Sequence, residues 1–167
     1  MKRIIILFAI LPLLVLSQDK EPKKMQGMLK AHNKYRKALG LPNLIWSNTL
    51  AANAQKWANH LKDQNCSIRH SPKKSRIGYG ENIAWNSGYN DTPEGVVDRW
   101  CSEQENFNFE TRKCNGNWQL CGHYTQVIWR ATERVGCAVV QCGNQQVWVC
   151  QYDPAGNINV TKGNPAY

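Results

Sequence analysis

The sequence predicts an α+β fold, with three helices laid around a small antiparallel sheet as a three-layer α-β-α sandwich. Three observations carry the prediction. Apolar residues recur at helical spacing in two segments between residues 25 and 63. A Thr-Pro-Glu start marks a third helix after residue 91. The last third of the chain holds two β-branched runs on either side of Gly143-Asn144.

Taken in order, the chain opens on a segment that belongs to no domain. Met1-Lys2-Arg3 is a short basic stretch, Ile4 to Leu16 is almost wholly apolar, and Val15-Leu16-Ser17 suits a cleavage site. This layout reads as a secretory signal peptide over residues 1–17, with the mature domain spanning 18–167. The apolar run is too short for the roughly 20 residues of a spanning helix and is broken by Pro12, so the chain is expected not to be transmembrane. The first helix begins near Met25. Met25, Met28, Leu29, His32, Tyr35 and Leu39 share a face, and Gly40 followed by Pro42 ends it. His32 on that face reads as a hydrogen-bonded core histidine. The second helix spans 48–63, capped by Ser47, with Leu50, Ala51, Ala54, Trp57, Ala58 and Leu61 on its apolar side. Residues 65–91, rich in Gly, Ser, Pro and Asn, read as largely loop. In the third helix Thr92 is the cap, Pro93 takes the first helical position and Glu94 lies in the first turn, with the end near Phe107. A loop with Cys114 and Cys121 follows, then strands from Val135 to Cys142 and from Val147 to Tyr152.

The formal charge is +9, and removing Lys2 and Arg3 with the leader brings it to +7. A basic surface favours acidic polysaccharide or anionic lipid; nucleic acid is not expected for an exported chain. Seven cysteines follow the leader, without any Cys-x-x-Cys pair of the kind a zinc-cysteine site uses. In an oxidising compartment they are expected to be mostly bridged, with one left over and the pairing open. Asn65, Asn90 and Asn159 head glycosylation sequons, although Asn65 precedes a cysteine expected to be bridged.

The third helix carries the residue that points to a site. Val96, Trp100 and Phe107 recur at intervals of four and seven, and Glu103 falls between the last two, on the same face. An ionised carboxylate on an apolar stripe needs a cation, a proton or a cleft. His70, Glu81 and His123 are its candidate partners, each next to turn-forming residues or glycine. Two imidazoles and two carboxylates can satisfy one another by hydrogen bonds or hold a divalent cation such as zinc.

Several separated motifs resemble one family. Gly78-Tyr79-Gly80-Glu81-Asn82-Ile83, the run Cys121 to Arg130, and Gln151-Tyr152-Asp153-Pro154-Ala155-Gly156-Asn157 are similar to signatures of the CAP superfamily. That superfamily comprises the cysteine-rich secretory, antigen 5 and plant pathogenesis-related class 1 proteins. Ala31-His32-Asn33 and Leu44-Ile45-Trp46 extend the resemblance across the mature chain. It implies a cleft lined by His70, Glu81, Glu103 and His123, with His70 and His123 as candidate ligands of a divalent cation and no required cofactor. It also implies a separate apolar surface for sterol or lipid, and an extracellular protein or carbohydrate partner in defence, venom or host interaction. Phe107, Phe109 and Trp118, which border the cysteine loop, are read from the sequence as a candidate apolar binding surface. The bridges it implies are Cys66–Cys142, Cys114–Cys121 and Cys137–Cys150. Cys101 then stays unpaired, either as a buried inert thiol in a monomer or as the link of a disulfide dimer.

Catalysis is the competing reading. The chain has no Gly-x-Ser-x-Gly elbow and no His-Glu-x-x-His helix. A metal-dependent peptidase or esterase using the same four cleft residues is the alternative to a non-enzymatic binding protein.

Overall fold

The computed structural model describes residues 19–158. The leader, the sequon at Asn159 and the C-terminal tail lie outside them. Four α-helices are described: α1 Met28–Ala38, α2 Asn48–Asp63, α3 Pro93–Ser102 and α4 Gly122–Val127. The strands are β1 Ile45–Trp46, β2 Gly80–Ser87, β3 Phe107–Asn108, β4 Lys113–Cys114, β5 Arg134–Cys142 and β6 Gln145–Asp153. The main sheet runs in the order β1-β5-β6-β2, antiparallel except for the short parallel β1–β5 pair, and β3-β4 form a separate ribbon.

Alternation along the two long strands builds two cores, one on each face of the sheet. Ala138, Val140, Val147 and Val149 face α2, where they meet Ala54, Ala58 and Leu61. Val135, Cys137, Trp148, Cys150 and Tyr152 face the other way, against residues of α1, α3 and α4. This is the expected three-layer sandwich. Helix α2 lies very close to the sheet because position 136 has no side chain: a Cβ there would meet the backbone of Ser47, Leu50 and Ala51. The three bridges join Cys66 to Cys142, Cys114 to Cys121 and Cys137 to Cys150. Cys101 is fully buried, and burial, with Asp98 and Glu103 nearby, pushes its thiol pKa up. A thiol in that position cannot reach a second chain, so the dimer link is withdrawn.

The caps formed as expected. Ser47 Oγ accepts from the Leu50 N–H at 3.3 Å, and Thr92 Oγ1 accepts from the Gly95 N–H at 3.0 Å. Other boundaries differ. Gly27, at φ 100°, separates a short 3₁₀ turn carrying Met25 from α1, so that helix starts at Met28. Helix α3 stops at Ser102, Glu103–Asn106 form a 3₁₀ turn, and Phe107 begins β3 rather than ending a helix. The segment read as loop contains β2, eight residues of edge strand paired with β6 from Gly80↔Tyr152 to Ser87↔Gln145. Its Gly- and Asn-rich composition hides it, because the pairing partner is remote in sequence. The β5–β6 connection is the two-residue Gly143-Asn144 turn, with Gly143 at φ 60°, so both strands run longer than expected.

Candidate functional site

The start of β2 is where the chemistry gathers. Glu81 and Asn82 are strand neighbours and so point to opposite faces. On the α2 face the Glu81 side chain is wholly enclosed. Its Oε1 accepts from His70 Nδ1 at 2.8 Å and from the Ser71 N–H at 2.9 Å. Its Oε2 accepts from Ser71 Oγ at 2.7 Å and from Gln151 Nε2 at 3.2 Å. Burial acts to raise the Glu81 pKa, but the donors on His70, Ser71 and Gln151 outweigh it and hold the carboxyl below its usual range.

On the opposite face Asn82 Nδ2 donates to the His123 carbonyl at 3.1 Å and to the Tyr152 hydroxyl at 3.3 Å. This ties β2 to α4. His123 Nδ1 donates to Glu103 Oε1 at 2.6 Å. Glu103 Oε2 accepts the backbone N–H groups of His123 at 2.8 Å and Tyr124 at 3.3 Å. Two donors at the start of a helix suit a carboxylate. The His123 ring also lies almost parallel to Trp100, with centroids 6.1 Å apart. The polar chain continues inward: His32 Nε2 meets the Tyr152 hydroxyl at 2.8 Å and its Nδ1 donates to the Met28 carbonyl at 2.8 Å. His32 is therefore the satisfied core histidine that its place on the first helix predicts.

Residues 29–152 match the family model described as CAP, the cysteine-rich secretory protein family. The chain belongs to the CAP family. This CAP domain is 39% identical over 156 residues to pathogenesis-related protein 1 of Arabidopsis thaliana, covering 93% of this chain and 91% of that one. Its fold matches the Schistosoma mansoni venom allergen-like protein 4 with a TM-score of 0.67 and 28% identity, over 80% of this chain and 90% of that one. It also matches a crystal structure of NaASP2 with Zn2+, with a TM-score of 0.70 and 26% identity, over 83% of each chain.

In this CAP domain the four expected residues form two His–Glu dyads rather than one continuous cluster. Each glutamate engages Nδ1 of its own histidine, and β2, at the sheet edge, carries Glu81 and the asparagine that touches His123. Glu103 reaches its partner from the turn after α3, not from the helical stripe that singled it out. All the hydrogen bonds described leave Nε2 of both imidazoles unengaged, and the side chains are 53% exposed for His70 and 35% for His123. A carboxylate on Nδ1 with Nε2 outward is the arrangement of a metal-ligating histidine. Both carboxylates are occupied by other donors, and no group of three or more His, Cys, Asp or Glu among the described residues is placed to hold an ion. Of the two dyads, Nε2 of His70 and Nε2 of His123 are the positions left open to a ligand.

Three residues of the site were not predicted: Ser71, Asn82 and Gln151. Gln151 had a readable signal, since it shares strand parity with the inward Val147 and Val149. Of the predicted apolar surface, Phe107 is buried, whereas Phe109 and Trp118 are exposed, as is Leu120, which the sequence did not single out. Trp85, expected in a loop, is exposed on β2. Asn90 is exposed, as is Asn65, which adopts φ 54° beside the bridged Cys66.

Proposed function

We propose that this chain is exported and acts outside the cell as a non-enzymatic CAP-domain binding protein in defence or host interaction. In this reading residues 1–17 are a cleaved leader and residues 18–167 form the mature domain. The three bridges favour an oxidising compartment, and the likeness to a plant pathogenesis-related protein favours the defence role. Among the described residues no helix is long and apolar enough to cross a membrane. The cleft would hold a divalent cation such as zinc through Nε2 of His70 and His123, with Glu81 and Glu103 fixing the two rings. One observation carries this: each imidazole is held at Nδ1 by a carboxylate that further donors fix in place, four in all on Glu81 and three on Glu103. The NaASP2 structure with Zn2+ adds a related fold solved with that cation. A separate surface around Phe109, Trp118 and Leu120 would take sterol or lipid.

Calorimetric titration with zinc chloride tests the cleft. The wild type should bind one ion per chain, and His70→Ala with His123→Ala should abolish it while the fold, read by circular dichroism, stays intact. Zinc affinity unchanged in the double variant would overturn the assignment. Peptide and ester panels with and without chelator test the non-enzymatic part: chelator-sensitive turnover lost in His70→Ala would replace it with a metal-dependent hydrolase.

A further inference from the structure

The stretch from Gln64 to Gly80 holds no acidic residue and four cations, Arg69, Lys73, Lys74 and Arg76. Each is at least partly exposed, and none is in an ion pair among the described residues. Elsewhere cations are answered by carboxylates: Lys34 pairs with Asp98, Arg99 with Asp91 and Arg134 with Asp153. Lys56 and His60 of α2 line a recess together with Pro72 and Ser75, so they extend the same cationic surface. The nearest carboxylate, Glu81, is enclosed and engaged by four donors, and offers this surface no counter-charge.

The backbone beneath these cations is pinned. Ser71 is buried and gives its N–H and its hydroxyl to Glu81 at 2.9 and 2.7 Å. The Arg69 carbonyl accepts from Trp57 Nε1 at 3.0 Å, and Arg76 Nε donates to the Ser71 carbonyl at 3.0 Å. Lys73–Ser75 form a 3₁₀ turn, closed by the Ser75 N–H on the Pro72 carbonyl at 2.8 Å. The charges therefore stand on a fixed ledge, which leaves little backbone freedom to lose when a partner arrives.

Two isoleucines say what kind of partner. Ile68 precedes Arg69 and is 45% exposed; Ile77 follows Arg76 and is 80% exposed, more than any other large apolar side chain among the described residues. A single exposed isoleucine is ordinary on a protein surface, but here one stands at each end of an unanswered cationic run. A hydrated acidic polymer gives an aliphatic side chain nothing to bury against. A bilayer does, because its acyl boundary lies just under the headgroups, and interfacial binding grows with both the apolar area inserted and the attraction to anionic lipid.

We propose that residues 68–77 dock this protein on an anionic lipid bilayer, with Ile68 and Ile77 entering the acyl boundary and the four cations meeting the headgroups. This face needs neither a cation at the dyads nor the apolar ribbon around Phe109 and Trp118. Co-sedimentation of the full chain with sterol-free vesicles tests it, using phosphatidylcholine alone and equal parts phosphatidylcholine and phosphatidylserine. Saturable binding is expected with the phosphatidylserine vesicles only. Lys73→Gln with Lys74→Gln should weaken it about twentyfold, at about fivefold per cation. Ile77→Ser should weaken it about tenfold. Lys30→Gln with Lys37→Gln makes the same charge change on α1, across the sheet, and should weaken it less than about threefold. Chelator and Trp118→Ser should change nothing, and circular dichroism checks that each variant is folded. No binding to phosphatidylserine vesicles would overturn the proposal. So would an equal loss in the α1 pair, which would make the attraction a matter of net charge alone. Undiminished binding by Ile77→Ser also overturns it, and would reassign the cations to a hydrated polyanion such as an acidic polysaccharide. Binding that disappears with chelator or in Trp118→Ser overturns it in favour of the dyads or the ribbon.

Discussion

Replacing Arg36 should unfold more of this protein than any single change at the exposed cleft. The side chain is completely buried and has no acidic partner among the described residues; its donors go to backbone carbonyls. Nε donates to Pro42 at 2.8 Å, Nη1 to Val127 at 3.0 Å and Trp129 at 2.8 Å, and Nη2 to Thr132 at 3.0 Å and, more loosely, Arg130 at 3.5 Å. Burial, with the Arg130 charge nearby, lowers the Arg36 pKa to about 10, which still leaves it charged at neutral pH. One guanidinium thus organises the turn that follows α4, the helix carrying His123. Arg36→Met keeps the length and removes every donor. Each stranded carbonyl costs about 1–3 kcal/mol, and the relief of burying a charge returns part of the sum. A net loss of about 4 kcal/mol is expected, a large part of a typical total stability of about 5–15 kcal/mol. Arg36→Lys, with three donors on one nitrogen, should lose about 2 kcal/mol. Urea unfolding followed by tryptophan fluorescence, with the disulfides intact, measures both. If Arg36→Met stays within about 1 kcal/mol of the wild type, the guanidinium does not hold this turn and the reasoning fails.

Two further outcomes follow from the core. Burial, only partly offset by the Met28 carbonyl and reinforced by the Arg36 charge, lowers the His32 pKa from 6.5 to about 4. The unfolded chain therefore takes up this proton first as pH falls; His32 contributes its full share above pH 6.5 and loses about 3 kcal/mol between 6.5 and 4. Urea midpoints across that range should fall more steeply for the wild type than for His32→Gln, and parallel curves would refute it. At Gly136 an added methyl would stand within 2.7 Å of the Leu50 carbonyl carbon and against the Ser47 and Ala51 backbone. Because backbone cannot swing aside, Gly136→Ala should cost about 3 kcal/mol in the same assay, and a neutral result would show that α2 can lift off the sheet.

The contact between Glu103 and His123 does not arise in the way that the sequence suggests. Glu103 was singled out as a carboxylate on the apolar stripe of a helix, yet α3 ends one residue earlier. A 3₁₀ turn nevertheless carries the chain on far enough to bring the carboxylate to the start of α4. Arg36 carries the same signal, a charge four residues after His32 on the buried side of α1.

Local chemistry determined what the sequence could show by itself: the Ser47 and Thr92 caps, the glycine turn between β5 and β6, the apolar face of α2, and motifs specific enough to name a family. Each of these is decided by residues a few positions apart. Only the tertiary structure decided that β2 is a strand, that the four site residues divide into two dyads at its end, and that Gln151 is left holding an unpaired oxygen. All three depend on hydrogen bonds between segments far apart in the chain, and such bonds leave no periodicity in either segment.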